Sequence, residues 1–325
     1  MLTSLEICAG AGGQALGLER AGYHHAAAVE LDPHAVQTLR LNRPAWNVVH
    51  QDVREFVPDA FKGVDLVAGG VPCPPFSIAG KQLGATDDRD LFPTALDIVE
   101  VIKPAAVMLE NVQGLATAKF DSYRRAVVIR LQRLGYEVDW QVLNACNYGV
   151  PQLRPRFILV ALRPKAARAF AWPAAIGTPP TVGKTLGDLM AAHGWPGAFE
   201  WATRASGIAP TLVGGSKLHG GPDLGPTRSR EAWRQLGVDG RGIADEPPAG
   251  AFAVDGMPRL TLRMAARIQG FPDDWAFAGR KTAAYRQIGN AFPPLVAAAV
   301  GVAIKAALAG SRSKRSPVEE LLAIG

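Results

Sequence analysis

The first half of the chain alternates short apolar runs with longer amphipathic stretches, and this pattern predicts an α/β fold. Apolar runs of this kind predict buried strands, and the segments between them predict helices such as 91–102 and 122–134. The predicted strands are 2–8, 26–29, 47–50, 64–68, 105–109, 136–143 and 157–162. This alternation is typical of a doubly wound, mostly parallel, Rossmann-like sheet.

The pattern changes after about Pro164. Residues 172–256 are rich in Gly, Pro, Ala and isolated Trp with weak periodicity, which predicts a second, smaller, loop-rich domain. Regular structure returns with a short helix capped by Thr261, and then with an apolar helix that ends near Leu308. A helix that is apolar on all sides is buried, so we expect it to return to the first domain. The predicted domain limits are 1–168, 169–277 and 278–325.

Polar residues follow the first three predicted strands. Gly10, Gly12 and Ala15 fit the spacing G-x-G-x-x-A at a strand-to-helix turn, a pattern that also occurs in plain tight turns. Glu30 ends the second strand 18 residues after Gly12, and Asp52 follows the third. Because the carboxyl ends of parallel strands share one edge, we expect these groups to bind one nucleoside there.

A lone thiol, Cys73, follows the fourth strand in a turn rich in glycine and proline. The alternative interpretation is a small buried apolar residue. Glu110 ends the next strand, at the same predicted edge. Gln152, Arg154 and Arg156 alternate along an extended segment, so they are predicted on one side, where they could bind a base carbonyl or a phosphate or simply be solvated.

Composition limits the classes of protein to which this chain can belong. The 325 residues are 48% hydrophobic with a net charge of +6, and no run near a terminus is long enough to cross a bilayer, so we expect a soluble, cytoplasmic protein without a membrane association. Cys8, Cys73 and Cys146 are widely spaced, which argues against a disulfide framework and against a metal site. Between Arg204 and Arg241, six Lys or Arg stand against three Asp or Glu, which suits a nucleic-acid groove or an ordinary solvated surface.

Taken in order, these motifs resemble those of the bacterial C5-cytosine DNA methyltransferase family. The turn 9–13 is similar to its cofactor loop, Pro72-Cys73 to its nucleophile motif, and 110–112 to its ENV motif. Residues 152–156 resemble its QxRxR motif, while 263–272 and 287–294 resemble its last two motifs. The similarity covers about 2–163 and 258–308, with a target-recognition domain expected between them. Cys8 departs from the family, which usually has a phenylalanine there to pack on the adenine.

The resemblance implies S-adenosyl-L-methionine as cofactor and a set of residues that bind it, with Glu30 on the ribose and Asp52 near the adenine amine. The implied cofactor residues are Cys8, Ala9, Gly10, Ala11, Gly12, Gly13, Glu30, Leu31, Asp52, Val53, Pro72, Leu91 and Asn290. The implied catalytic residues are Cys73, which adds to C6 of cytosine, Glu110 at N3, and Arg154 with Arg156 at O2. The loop from Ser77 to Arg89 would cover the flipped base, and the implied DNA contacts are Ser77, Gln82, Arg89 and Gln152.

The resemblance therefore implies an enzyme that methylates C5 of a flipped cytosine in a specific sequence of double-stranded DNA, and we expect a monomer. A cognate restriction endonuclease is left open as a partner, through genetic linkage alone. Three other functions stay open. They are a transfer-RNA cytosine methyltransferase with the same motifs, a non-catalytic DNA-binding regulator on a methyltransferase scaffold, and a nicotinamide oxidoreductase, which would leave Cys73 and Glu110 unexplained.

Overall fold

The computed structural model describes residues 1–72, 90–214 and 221–310, and its main feature is a seven-stranded sheet. The strands of this sheet are β1 (Leu2–Ile7), β2 (Tyr23–Glu30), β3 (Val48–His50), β4 (Leu66–Gly70), β5 (Ala106–Val112), β6 (Glu137–Asn144) and β8 (Pro155–Leu162). Their order is β3-β2-β1-β4-β5-β8-β6. All four pairings from β3 to β5 are parallel, whereas β8 runs antiparallel to β5. The predicted α/β fold is confirmed.

Helices connect the strands, and a small second sheet lies outside the main one. The second sheet pairs β7 (Gln152–Leu153) in parallel with β9 (Ala209–Pro210). The helices are α1 (Gly13–Arg20), α2 (Pro33–Asn42), α3 (Phe92–Ile102), α4 (Asp121–Arg133), α5 (Pro164–Ala167), α6 (Val182–Ala191), α7 (Ala198–Arg204), α8 (Thr227–Gln235), α9 (Leu262–Ile268), α10 (Lys281–Asn290) and α11 (Pro294–Leu308).

The two faces of the sheet carry different residues because side chains alternate along a strand. On β1, Leu5 and Ile7 join the main apolar core, which α3 and α4 also enter. The other face carries Ser4 and Glu6, both fully buried. Ser4 is hydrogen-bonded to His25 on β2, at 2.9 Å between Oγ and Nδ1. On this second face, Val36 and Leu39 of α2 pack against Ala28, the strand partner of Glu6. Helices therefore cover the sheet on both faces, and one face contains a small polar cluster.

Strand ends differ from the predictions at the edge that matters for function. β4 continues to Gly70 and β5 to Val112, two and three residues beyond the predicted ends. The reason is pairing between the two strands, in which Gly70 is the partner of Glu110. Glu110 thus lies inside a hydrogen-bonded ladder rather than in a loop after it.

The chain folds into two compact units. The first consists of Met1–Leu143, Pro155–Ala174 and Val296–Gly325, and the second of Asn144–Arg154 and Ala175–Leu295. The second unit thus includes residues before 169, where the sequence-based limits begin the second domain. Those limits describe functional domains, and they stay a prediction.

The apolar helix α11 belongs mostly to the first unit. Tyr23 donates a hydrogen bond from Oη to the carbonyl of Gly301 (3.2 Å), and Lys305 donates one from Nζ to the carbonyl of Ala21 (3.0 Å). Within the described residues, the stretch Lys281–Leu308 is long and apolar enough to span a membrane. However, 67% of its 18-residue apolar segment is buried inside the protein. Such burial is typical of a core helix.

Candidate active site

The turn after β1 adopts a backbone shape that glycine favours. Gly10 and Gly12 have φ values of 55° and 85°, and Cys8 also lies in the left-handed region at 53°. Gly12 is the N-cap of α1 and has no side chain to satisfy the first-turn N–H groups. The turn therefore exposes backbone to close approach and offers donors at a helix amino terminus.

Glu30, the last residue of β2, fastens this turn to the sheet. Its Oε2 accepts from the N–H of Gly10 at 2.7 Å, and its Oε1 accepts from the N–H groups of Leu31 (2.9 Å) and Asp32 (2.7 Å). Burial raises the pKa of Glu30, and these three donors oppose the rise. A carboxylate can accept about four hydrogen bonds, so Glu30 has capacity for a further donor.

Most of the predicted cofactor residues meet at one edge in the first unit. In the register of the sheet, Ile7 is the partner of both Val29 and Gly69, and Glu30 is the partner of His50. The ends of β1 to β4 are therefore neighbours. These strand ends carry residues 8–13, Glu30, Leu31, Asp52, Val53 and Pro72. Asp52 accepts a salt bridge from Arg54 at 2.5 Å, which lowers the pKa of Asp52. A ligand amine would have to share that carboxylate with Arg54. Leu31 is 57% exposed beside Glu30, and its side chain offers an apolar surface.

Asn290 lies in the second unit, at the end of α10. It is exposed, and it lies so close to Gly214 that a Cβ on that glycine would be 2.6 Å from Asn290 Oδ1. Gly214 therefore fits beside Asn290 only because it has no side chain.

Glu110 and Arg156 form an ion pair at the end of neighbouring strands. Arg156 Nε lies 2.9 Å from Glu110 Oε1, and each side chain is 11% exposed. Burial lowers the pKa of Arg156, and the Glu110 charge opposes this. Gly70 leaves room for the carboxylate, because a Cβ at that position would lie 3.3 Å from Glu110 Oε2. The pair is a carboxyl group with a fixed cationic donor at the edge where β4 ends.

The residues on either side of the predicted nucleophile segment are fastened to the sheet. Asn111 donates from Nδ2 to the carbonyl of Val71 at 2.7 Å. The N–H of Leu91 donates to the carbonyl of Pro72 at 3.1 Å. The first bond holds Val71 next to the strand that carries Glu110, and the second joins Pro72, the residue before Cys73, to the start of α3. The predicted residues Cys73, Ser77, Gln82 and Arg89 lie outside the described part of the chain.

The two described cysteines are poor nucleophiles at neutral pH. Burial, joined by the nearby Glu30 and Asp52 carboxylates, raises the pKa of the Cys8 thiol. Burial also raises the pKa of Cys146. Both side chains therefore stay protonated, and a thiolate nucleophile would have to come from elsewhere in the chain.

Gln152 and Arg154 are fully buried in the second unit, unlike the exposed donor set that alternation suggested. The Arg154 guanidinium donates to the carbonyls of Leu212 (2.6 Å), Gly289 (2.7 Å) and Ala291 (3.0 Å). Gln152 donates to Gln269 Oε1 at 2.7 Å and accepts from the N–H of Leu212 at 2.9 Å. Gln152 and Arg154 do alternate along an extended segment, but their side chains bind backbone groups of segments far away in sequence. The spacing of the residues alone does not reveal these partners.

Sequence reasoning missed two supporting residues. Asp90 accepts hydrogen bonds from Tyr123 Oη (2.6 Å) and from the N–H of Phe92 (3.1 Å), so it fixes the start of α3. Glu6 is fully buried in β1, and burial raises its pKa well above the usual value. The signal for Asp90 was an acid just before a helix, and the signal for Glu6 was a single acid inside an apolar strand.

The C-5 cytosine-specific DNA methylase family model matches residues 2–208 and 218–306 of the chain. The chain is 58% identical over 311 residues to the Type II methyltransferase M.NaeI of Lentzea aerocolonigenes, which covers 94% of this chain and 75% of that protein. It is 53% identical over 315 residues to the Type II methyltransferase M.NgoMIV of Neisseria gonorrhoeae, covering 94% and 98% respectively. Among solved structures, a Spodoptera frugiperda DNMT2 mutant has the same fold, with a TM-score of 0.66, 17% identity, and coverage of 94% of this chain and all of that one.

Proposed function

The chain belongs to the C-5 cytosine-specific DNA methylase family, and from that premise we propose that Cys73, Glu110 and Arg156 carry out methyl transfer in it. It is a DNA (cytosine-5-)-methyltransferase with S-adenosylmethionine as methyl donor. The observation that carries the proposed roles is the buried Glu110–Arg156 pair at the strand edge, beside the fastened residue Pro72 that precedes Cys73.

The first unit contains residues that fit the cofactor. S-adenosylmethionine supplies an electrophilic methyl group when bound. The left-handed glycines of the turn allow close approach of backbone to a ligand. Glu30 has remaining acceptor capacity for a ribose hydroxyl, and Leu31 offers an apolar surface to an adenine. Asp52, Val53, Pro72 and Leu91 complete the proposed set of this unit, together with residues 8–13, and Asn290 is the residue proposed from the second unit.

Cytosine C5 is a poor nucleophile, and this explains the need for Cys73. The Cys73 thiolate forms a bond to C6, and the electron pair of the C5–C6 double bond moves toward C5 and the N3–O2 side of the ring. Glu110 in its protonated form gives its proton to N3, which stabilises the enamine that results. C5 then takes the methyl group, and a base removes the C5 proton. The Cys73–C6 bond breaks as the double bond reforms, and N3 returns its proton to Glu110.

Arg156 and Arg154 differ in their proposed roles. Arg156 holds the Glu110 carboxyl and donates to cytosine O2, which is consistent with its place on the adjacent strand. Arg154 and Gln152 act as positioning residues, since their side chains already bind backbone within the second unit. The hydrogen bonds of Arg154 thus favour a positioning role over direct contact with the base.

The proposed substrate is double-stranded DNA in which the target cytosine is flipped out of the stack. Residues 169–277 would recognise the sequence, with Ser77, Gln82 and Arg89 as contacts from the segment after Cys73. The relatives are named as Type II methyltransferases, which supports a cognate restriction endonuclease linked genetically to this enzyme. We further propose a monomer that acts in the cytoplasm.

Covalent trapping tests the proposed mechanism. A duplex that carries 5-fluorocytosine at the target site should remain attached to the protein in the presence of cofactor, because the fluorine cannot leave as a proton does. Bisulfite sequencing of DNA from expressing cells identifies that site beforehand. Cys73→Ser is the matched control and should bind DNA without forming the adduct. An adduct in the Cys73→Ser variant, or none in the natural protein, would refute the role of Cys73.

Labelling of DNA and RNA side by side tests the alternative substrate. Methyl groups from radiolabelled cofactor should enter duplex DNA and not transfer RNA. Preferential labelling of transfer RNA would instead assign the chain to the RNA-modifying branch with the same motifs.

A further inference from the structure

Five arginines lie on helix α8 or beside the loop after it, all within the second unit. Three of them, Arg230, Arg234 and Arg241, line a cavity of about 490 Å³ together with Val238 and Met257. Two carboxylates, Glu231 and Asp239, lie among them. The arginines are Arg228, Arg230, Arg234, Arg241 and Arg259.

The two carboxylates are already paired. Arg234 Nη2 lies 2.6 Å from Glu231 Oε1, and this arginine lowers the pKa of Glu231. Asp239 pairs with Arg241 at 2.9 Å and with Arg259 at 3.0 Å, and its pKa is also lowered, mainly by Arg241. Both acids therefore stay charged and compensated near neutral pH.

Arg228 and Arg230 differ from the other three arginines. Across residues 1–72, 90–214 and 221–310, neither guanidinium has an ion pair or a hydrogen bond. Arg228 is exposed and Arg230 is partly buried. Two carboxylates against five arginines leave the cluster with a net charge of +3, and within the described residues Arg228 and Arg230 are its two arginines without an ion pair.

Helix α8, which carries these two arginines, and the loop after it are well packed within the second unit. Trp233 on α8 is fully buried, and Trp201 donates from Nε1 to the carbonyl of Gly237 just after the helix, at 3.0 Å. The backbone of Gly240 packs on the stem of Arg230, since a Cβ there would lie 3.1 Å from Arg230 Cγ. The Arg230 side chain has therefore lost part of its conformational entropy before any ligand binds, and binding loses less.

Helical geometry places the two arginines on opposite flanks of the exposed face of α8. Each residue advances about 100° around a helix, so Arg228 and Arg230 are separated by about 200°. Trp233 marks the buried face, and Glu231, exposed, lies on the other side between the two arginines. Two cations on either side of one helix face match the two phosphate strands that border a DNA groove.

We propose that Arg228 and Arg230 bind phosphates of duplex DNA and so fix the second unit on its substrate. This inference rests on the proposed function only for the identity of the nucleic acid. Guanidinium groups bind phosphate through two parallel hydrogen bonds, and such contacts set register and affinity without reading sequence. The arginines would thus position the enzyme, and other residues would read the bases.

The salt dependence of DNA binding tests this assignment. The variant Arg228→Gln/Arg230→Gln keeps the side-chain length and removes both charges. The control is Arg133→Gln on α4 in the first unit, which removes an exposed arginine charge. Binding is measured from about 50 to 200 mM salt on a duplex with the sequence that bisulfite mapping identifies and on a scrambled duplex of equal length.

The double variant should reduce the slope of log K against log salt by about 2 and weaken binding about 10- to 100-fold near 0.1 M salt. Both duplexes should be affected equally, and the control should change neither quantity by a comparable amount. Cofactor affinity by calorimetry should match that of the natural protein, which shows that the variant is folded.

An unchanged slope would overturn the assignment, and so would an equal effect of Arg133→Gln. Loss of affinity only on the methylated sequence would also overturn it, because it would mean base contacts instead of phosphate contacts. Failure of the natural protein to methylate any cytosine would refute the proposed function, whereas the slopes would still report on this surface.

Discussion

Arg156 Nε lies 2.9 Å from Glu110 Oε1, on adjacent antiparallel strands, with only about a tenth of either side chain exposed. The Glu110 carboxyl group is thus held by a neighbouring cation in a site with little access to solvent. The pair can therefore be tested through the rate of methyl transfer.

Glu110→Gln should lower kcat by about 10²- to 10⁴-fold, because the amide cannot give a proton to N3. Affinities for DNA and cofactor should change little. Arg156→Gln removes the cation that holds the Glu110 carboxyl group, so kcat should fall in this variant too. Single-turnover rates of both variants measure these effects, and normal turnover by Glu110→Gln would contradict the role of this residue.

Two neighbouring glycines should respond differently to the same substitution. An alanine Cβ at Gly69 would lie 2.7 Å from the carbonyl oxygen of Ile7, so Gly69→Ala should destabilise the fold by about 1 to 3 kcal/mol. At Gly70 the nearest atom is Glu110 Oε2 at 3.3 Å. Gly70→Ala should therefore displace the carboxylate and lower kcat while changing stability by less than about 1 kcal/mol. Urea unfolding and initial rates of both variants check this, and equal stability losses would argue against it.

Arg154→Lys should destabilise the second unit even though the charge is kept. A lysine ammonium cannot reproduce the guanidinium fork that binds the carbonyls of Leu212, Gly289 and Ala291. The expected loss is about 2 to 4 kcal/mol, given the value of charged hydrogen bonds in a buried site. Urea unfolding followed by fluorescence of the buried Trp201, Trp233 and Trp275 measures it. Arg156→Lys is the matched control and should lose activity more than stability. Full stability of Arg154→Lys would contradict the positioning role.

Glu6→Gln should remove a pH dependence of stability. Burial raises the pKa of Glu6 in the folded protein, so the natural residue favours folding most below its unfolded pKa near 4.5 and loses that contribution as pH rises toward the folded value. Above pH 4.5 the natural protein should lose up to about 1.4 kcal/mol per pH unit relative to the variant. Urea unfolding of both proteins at pH 5, 6 and 7 provides the comparison. Parallel curves would show that Glu6 ionises normally.

Patterns along the chain were enough to predict the class of fold and which strands end at the shared edge. Apolar runs and glycine turns are local features, and so the edge that carries Glu30, Asp52 and Glu110 could be inferred. The antiparallel insertion of β8 between β5 and β6 could not, because strand order depends on contacts between residues that lie far apart in sequence. The Glu110–Arg156 pair depends on that insertion.

The roles of Gln152 and Arg154 show the same limit at the level of single side chains. Spacing identifies donors on one side of a segment, but it does not tell whether solvent, DNA or backbone faces them. Arg154 contacts carbonyls 58, 135 and 137 residues away. A buried arginine of this kind has the same local sequence as an exposed one.

The place of β8 also affects how the protein can fold during its synthesis. β6 leaves the ribosome before β8, yet in the finished sheet β8 lies between β5 and β6. A nascent chain that ends at residue 154 therefore has an edge strand without its neighbour, and α11 emerges only after the whole second unit has been made. The Glu110–Arg156 ion pair can therefore form as soon as Arg156 is made, whereas α11 joins the first unit only after the second unit has been synthesised.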